Sequence, residues 1–150
     1  NFKGVSYFDE SKNLEFFGAV DDLWIDNASG QIIVVDYKAT SKNSEVNLDA
    51  DWQISYKRQM EFYQWLLRKN DLTVTDTGYF VYCNGRRDRD AFEARLDFTI
   101  KVLPYTGSDS WVEDTIDRAH TTLNGESIPL PAHDCEYCRY VSDVMNVTDL

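Results

Sequence analysis

Residues 32–35 read Ile-Ile-Val-Val and are followed at once by Asp36-Tyr37-Lys38. Four consecutive β-branched residues leave neither face of a strand for water, so the segment must run through the interior of a sheet covered on both sides. It then ends on a carboxylate and an ammonium. Asp36 and Lys38 are two residues apart, so both side chains leave the same face of the strand. Whatever the fold, it must bury the run and still satisfy the acid at its end.

The surrounding segments predict a mixed α/β arrangement. Phe2 to Glu10 and Leu14 to Asp26 have strand composition, and the turn Asn27-Ala28-Ser29-Gly30 leads into Gln31 to Thr40, giving a three-stranded meander. Ser41 to Asp51 is polar and predicts a loop. Trp52 to Lys69 carries apolar residues at Trp52, Tyr56, Met60, Tyr63 and Leu67, with no Gly or Pro, and predicts a helix. Thr73 to Cys83 is again β, closed by Asn84-Gly85. Phe92 to Tyr105 alternates through Leu96, Phe98 and Ile100, and Asp109 to Leu123 predicts a second helix stopped by Asn124-Gly125. The expected order is β-β-β-α-β-β-α, with helices flanking a mixed sheet. At 150 residues this is one domain, with residues 128–150 a cysteine-containing tail. No basic-then-apolar leader follows Asn1, and the chain starts close to a strand, so it is expected to be a piece of a longer protein. The absent leader and an odd count of cysteines predict a reducing, cytoplasmic setting, and no apolar run is long enough for a membrane span.

Net charge is −11, which taken whole argues against a nucleic-acid partner. It is unevenly spread. Residues 1–50 carry net −5, residues 51–100 net zero and residues 101–150 net −6. The middle third holds over half the cations, at Lys57-Arg58, Arg68-Lys69 and Arg86-Arg87-Asp88-Arg89.

A turn centred between Ala28 and Ser29 pairs residues whose numbers sum to 57, which sets Asp21 opposite Asp36, with Cβ atoms roughly 5 Å apart, and Ala19 opposite Lys38. Two opposed carboxylates beside an Ile/Val strand destabilise the sheet unless something compensates. A divalent cation does so: Mg²⁺ or Mn²⁺ takes one or two carboxylates and keeps several waters. Lys38 would then stand beside a coordinated water, placed to orient it or to stabilise charge developing on a phosphate. An acid-x-Lys triplet in isolation reads as a strand-end salt bridge, and Glu10-Ser11-Lys12 is a second match lying in a polar turn. The apolar run, the register with Asp21 and the following helix set Asp36-Tyr37-Lys38 apart. On that helix Gln59 and Tyr63 lie one turn apart on one face, where an amide and a phenol can position a carboxylate, Lys38 or a phosphate.

Gly18-Ala19-Val20-Asp21, then Val34-Val35-Asp36-Tyr37-Lys38, then Gln59-Met60-Glu61-Phe62-Tyr63, taken in that order, resemble the motifs of the PD-(D/E)XK nuclease superfamily in its RecB-like exonuclease branch. The resemblance implies a restriction-endonuclease-like fold, here without the family's N-terminal helix. It implies Asp21 and Asp36 as metal ligands, with the Tyr37 backbone carbonyl another, and Lys38 as the water-activating residue. Gln59 and Tyr63 become active-site or DNA-contacting residues. The implied activity is Mg²⁺- or Mn²⁺-dependent hydrolysis of DNA, in company with other domains or proteins of a repair, recombination or phage system. Two rivals stand: a nuclease fold kept as a non-cleaving DNA-binding or assembly module, and a zinc-stapled structural domain.

Cys135-Glu136-Tyr137-Cys138 resembles part of an iron–sulfur motif in some RecB-like nucleases, but the next position of that motif is Val144. Two thiolates cannot hold a cluster. The alternatives are a zinc site from His133, Cys135 and Cys138, completed by Cys83 or an absent residue, or two free thiols packing the tail. Arg86, Arg87 and Arg89 follow Asn84-Gly85 as candidate phosphate contacts, or form a solvated loop in which Asp88 and Asp90 cancel their charge.

Overall fold

The computed structural model describes residues 4–88, 90 and 93–148. The chain divides into two compact units, Asn1–Glu113 and Asp114–Leu150. In the first, strands β1 (Val5–Asp9) and β2 (Leu14–Gly18) form an antiparallel hairpin. Strands β3 (Asp22–Ile25), β4 (Ile32–Thr40), β5 (Thr77–Gly85) and β6 (Phe98–Thr106) form a separate sheet in that order. A 3-10 turn, Asp51–Gln53, leads into helix α1 (Ile54–Arg68). Helices α2 (Trp111–Leu123) and α3 (Glu136–Thr148) complete the chain. This is the mixed α/β class that the sequence predicts. No helix among the described residues is long and apolar enough to cross a membrane.

Strand β4 is one of the two inner strands of the sheet, antiparallel to β3 and parallel to β5, with α1 as the crossover that a parallel pair requires. Val34, Val35 and Asp36 are buried, as the β-branched run demands. Val34, Phe80 and Tyr82 of the sheet pack with Met60 and Leu67 of α1 and with Val46 and Val74. Helix α1 is also covered by the hairpin: Trp65 meets Tyr7 and Phe16 edge-on, at ring separations of 5.8 and 5.4 Å. Buried on two sides, α1 carries more than a single apolar stripe, with Met60, Glu61, Gln64, Trp65, Leu66 and Leu67 all inside.

Four details differ from the sequence expectation. The segment Leu14 to Asp26 is two strands in two sheets, so the three-stranded meander is instead a hairpin plus a β3–β4 pair. Trp52 precedes α1 and is exposed. The last strand begins at Phe98, and its Phe98 and Ile100 face outward while Lys101, Leu103 and Tyr105 turn inward. The tail contains α3, whose Tyr137, Tyr140, Val141, Val144 and Met145 follow helical spacing.

Candidate active site

The β3–β4 ladder pairs Asp22 with Val35 and Leu23 with Val34, the register that sums to 57. The ladder stops at Asp22, just short of the Asp21–Asp36 level, and the expected Ala19–Lys38 level also lies beyond it. There the Asp21 carboxylate replaces a strand partner: the Tyr37 N–H donates to Asp21 Oδ2 at 2.9 Å. That bond explains why Leu14 to Asp26 breaks in two, since the chain must turn to aim Asp21 at the β4 backbone. The Tyr37 side chain leaves by the opposite face, its hydroxyl donating to Asp22 Oδ2 at 2.7 Å.

Asp36 retains only 4% of its surface. Lys38 Nζ lies 2.6 Å from Asp36 Oδ2, yet that oxygen receives no hydrogen bond of acceptable direction. The ammonium is therefore a close counter-charge and leaves a buried lone pair uncovered. Burial raises the Asp36 pKa above the usual carboxylate range, Lys38 pulls against it, and the adjoining Asp21 carboxylate raises it further. Asp21 thus acts on Asp36 from just beyond the end of the ladder, and their mutual repulsion is not fully offset within the chain.

From α1, Gln59 reaches Lys38, and Tyr63 holds Gln59. Gln59 Oε1 lies 3.5 Å from Lys38 Nζ, and Gln59 Nε2 donates to the Tyr63 hydroxyl at 3.0 Å. Gly18 makes room for this: a β-carbon there would lie 2.6 Å from Tyr63 Cε1. Two residues to which sequence reasoning assigned no site role also belong here. The Tyr56 ring faces Lys38 Nζ at 4.4 Å, and Tyr82 pairs with Lys38 across β4–β5. The helical spacing of Tyr56, Gln59 and Tyr63 was the available signal for the first.

A divalent oxophilic cation suits this donor set. The orphaned Asp36 oxygen and the adjoining Asp21 carboxylate are hard ligands, and Mg²⁺ or Mn²⁺ needs no more than one or two carboxylates besides waters. Among the described residues no three or more His, Cys, Asp or Glu side chains gather as a metal cage. His133, Cys135 and Cys138 form no such group among the described residues. The pair itself is close, with Cys135 Sγ 3.1 Å from Cys138 Sγ and the Cys138 N–H donating to Cys135 Sγ at 3.3 Å, while Cys83 is a free thiol on β5. Arg86 is taken up by Asp88 at 3.1 and 3.2 Å, and Arg87 donates to Asn43 Oδ1 at 3.1 Å. Arg89 lies outside the described residues. The triplet at Glu10-Ser11-Lys12 is an ordinary polar turn, in which Lys12 pairs with Asp9 at 3.0 Å.

A family model of the PD-(D/E)XK nuclease superfamily matches residues 3–142. Searches of curated proteins and of solved structures gave no match. The match spans most of the 150 residues, and the chain belongs to the PD-(D/E)XK nuclease superfamily.

Proposed function

We propose that this superfamily member is a metal-dependent deoxyribonuclease of the RecB-like exonuclease type, hydrolysing DNA phosphodiester bonds with Asp21, Asp36, Lys38, Gln59 and Tyr63. Superfamily membership supports a hydrolase acting on nucleic acid through Mg²⁺ or Mn²⁺. The single observation that carries the assignment is the buried Asp36 oxygen without a hydrogen bond, set against a second carboxylate and beside an ammonium. A purely structural ion pair has no use for that vacancy in bonding.

Asp21 and Asp36 would hold the cation, with the Tyr37 backbone carbonyl as a further ligand. A divalent ion bound there lowers the pKa of a coordinated water and offsets charge on the phosphate. The chain's own work falls to Lys38. Its side chain is 17% exposed, and Gln59 and Tyr56 hold the ammonium at the strand end. From there Lys38 Nζ can orient the attacking water and stabilise negative charge as the water oxygen bonds to phosphorus, loses its proton to solvent, and the ester P–O bond breaks with the leaving oxygen taking a proton from solvent. The products are a phosphate monoester and a free hydroxyl end. Gln59 and Tyr63, bonded to each other, fix the amine's direction, and their loss should lower the rate without abolishing it.

The test is cleavage of linear and plasmid DNA with Mn²⁺ and again with EDTA. Cutting that needs Mn²⁺ and disappears in Asp36→Ala and Lys38→Ala, with the far-UV spectrum unchanged, is the expected result. DNA retarded on a gel but never cut would replace the proposal with a non-cleaving binding module.

A further inference from the structure

Beyond Lys38 the surface carries a feature that the hydrolytic residues do not use. Trp52, in the 3-10 turn before α1, keeps 55% of its surface exposed. Its ring meets Tyr56 edge-on at 5.3 Å, and Tyr56 in turn faces the Lys38 ammonium at 4.4 Å. Lys42 Nζ lies 5.5 Å from the Trp52 ring. A cation, two aromatic rings and a second cation thus run in sequence outward from the candidate site.

Lys42 also lines an open cleft of about 350 Å³ with Asn43, Asn84, Arg86, Arg87 and Asp88. The cleft is held in shape by side chains. Asn84 Oδ1 accepts the Lys42 N–H at 2.8 Å, and Asn84 Nδ2 donates to the Lys42 carbonyl at 3.0 Å, fixing the loop after β4 to the end of β5. Asn43 fixes Arg87. Asp88 neutralises Arg86, whereas among the described residues neither Lys42 nor Arg87 forms an ion pair with a carboxylate. In a chain of net charge −11, two uncompensated cations facing one cleft beside a bared indole fit a flexible polyanion with flat faces. Within a duplex the base faces are already stacked on neighbouring pairs, so the indole fits unpaired nucleotides, whose faces are free. Lys42 lies four residues beyond Lys38, about 13 Å at most along an extended chain, within reach of the same strand.

We propose that Trp52, Lys42 and Arg87 form a subsite for unpaired nucleotides flanking the scissile phosphate, the indole stacking on a base and the two cations taking phosphates. The subsite rests on the nuclease assignment, but its test does not depend on cleavage. A short 5′-fluorescein oligothymidylate and a blunt duplex of equal length are titrated by anisotropy in EDTA against protein carrying Asp36→Asn, alone and with each further change. On the single strand, Trp52→Ala weakens binding about tenfold or more, Trp52→Phe recovers most of it, and Lys42→Ala lowers the salt slope by about 0.7. On the duplex, Trp52→Ala has little effect. The proposal is overturned if the oligothymidylate does not bind, if Trp52→Ala and Lys42→Ala bind it as the parent does, if Trp52→Phe fails to recover binding, or if the duplex suffers equally. Trp52-dependent binding with no Mn²⁺-dependent cutting would uphold the subsite and remove hydrolysis. Cutting that needs Asp36 but ignores Trp52 would do the reverse.

Discussion

Asp36 and Glu61 are both buried carboxylates, at 4% and 8% exposure, and they are treated in opposite ways. Glu61 Oε1 accepts from the Tyr105 hydroxyl at 2.6 Å and the Ser108 N–H at 3.3 Å, while Oε2 accepts from Trp111 Nε1 at 2.6 Å. Gly107 clears the space, since a β-carbon there would collide with Glu61 Oε1. Both oxygens of that carboxylate accept hydrogen bonds, and it ties α1 to β6 and the start of α2. Asp36 instead has a second carboxylate beside it and an oxygen with a counter-charge but no bond. A buried acid with hydrogen bonds to both oxygens is a structural brace, whereas one left short, and facing a like charge, is set up to receive something from outside the chain.

If that contrast is right, activity separates the two most strongly. Asp36→Asn should lower Mn²⁺-dependent cleavage by at least about a thousandfold and Lys38→Ala by about 10²–10⁴-fold, while Glu61→Gln cuts within a few-fold of the parent at a temperature where it is folded. Initial rates on a labelled DNA check this, and comparable losses at both carboxylates would erase the distinction.

Stability in EDTA should then move with opposite signs. Glu61→Gln turns one acceptor into a donor facing a buried N–H or O–H and costs about 2 kcal/mol, whereas Asp36→Asn removes the repulsion with Asp21 and gains about 1 kcal/mol. Urea unfolding of the two amide variants measures both. Destabilisation by Asp36→Asn would mean that the Lys38 pair outweighs the repulsion.

The pH dependence sharpens the same point. A carboxyl whose pKa is raised by folding contributes stability that is present below its unfolded value of 3.8 and lost as pH rises through the raised folded value. The advantage of Asp36→Asn over the parent should therefore vanish below pH 3.8 and be complete once Asp36 is fully ionised. Equal curves with pH would contradict it.

The smallest effect is on the brace. Burial first, and Glu61 second, push the Tyr105 phenol up to about 12, so its contribution to stability is full below pH 10 and lost as pH rises through about 12. The parent-minus-Tyr105→Phe absorbance at 295 nm should titrate near that value and fall in a Glu61→Gln background. A midpoint near 10 in the parent would show that Glu61 and burial do not hold the phenol.

Much of this site was legible in the sequence because β4 is over-determined. The β-branched run fixes an inner strand, and the turn at Ala28-Ser29 fixes its register with β3 by arithmetic. What the sequence hid are features decided by tertiary partners. The break at Ala19–Asp21 comes from the Asp21 bond to the Tyr37 N–H, which no local propensity encodes. Alternation in β6 marks two faces but not which one α1 covers, so Phe98 and Ile100 face outward. Glu61 passed as an ordinary helix residue because its three donors come from residues more than forty positions away. For α3 the signal was present: Tyr137, Tyr140, Val141 and Val144 keep helical spacing, overshadowed by the prolines and cysteines before them.

Direct Mn²⁺ binding, followed by loss of the free-ion electron paramagnetic resonance signal, bears on Asp21 and Asp36 without requiring any substrate. Parent and Glu61→Gln should take up Mn²⁺ alike, with Asp21→Asn and Asp36→Asn each losing most of that uptake. Equal uptake by all four proteins would contradict a cation site at these two aspartates.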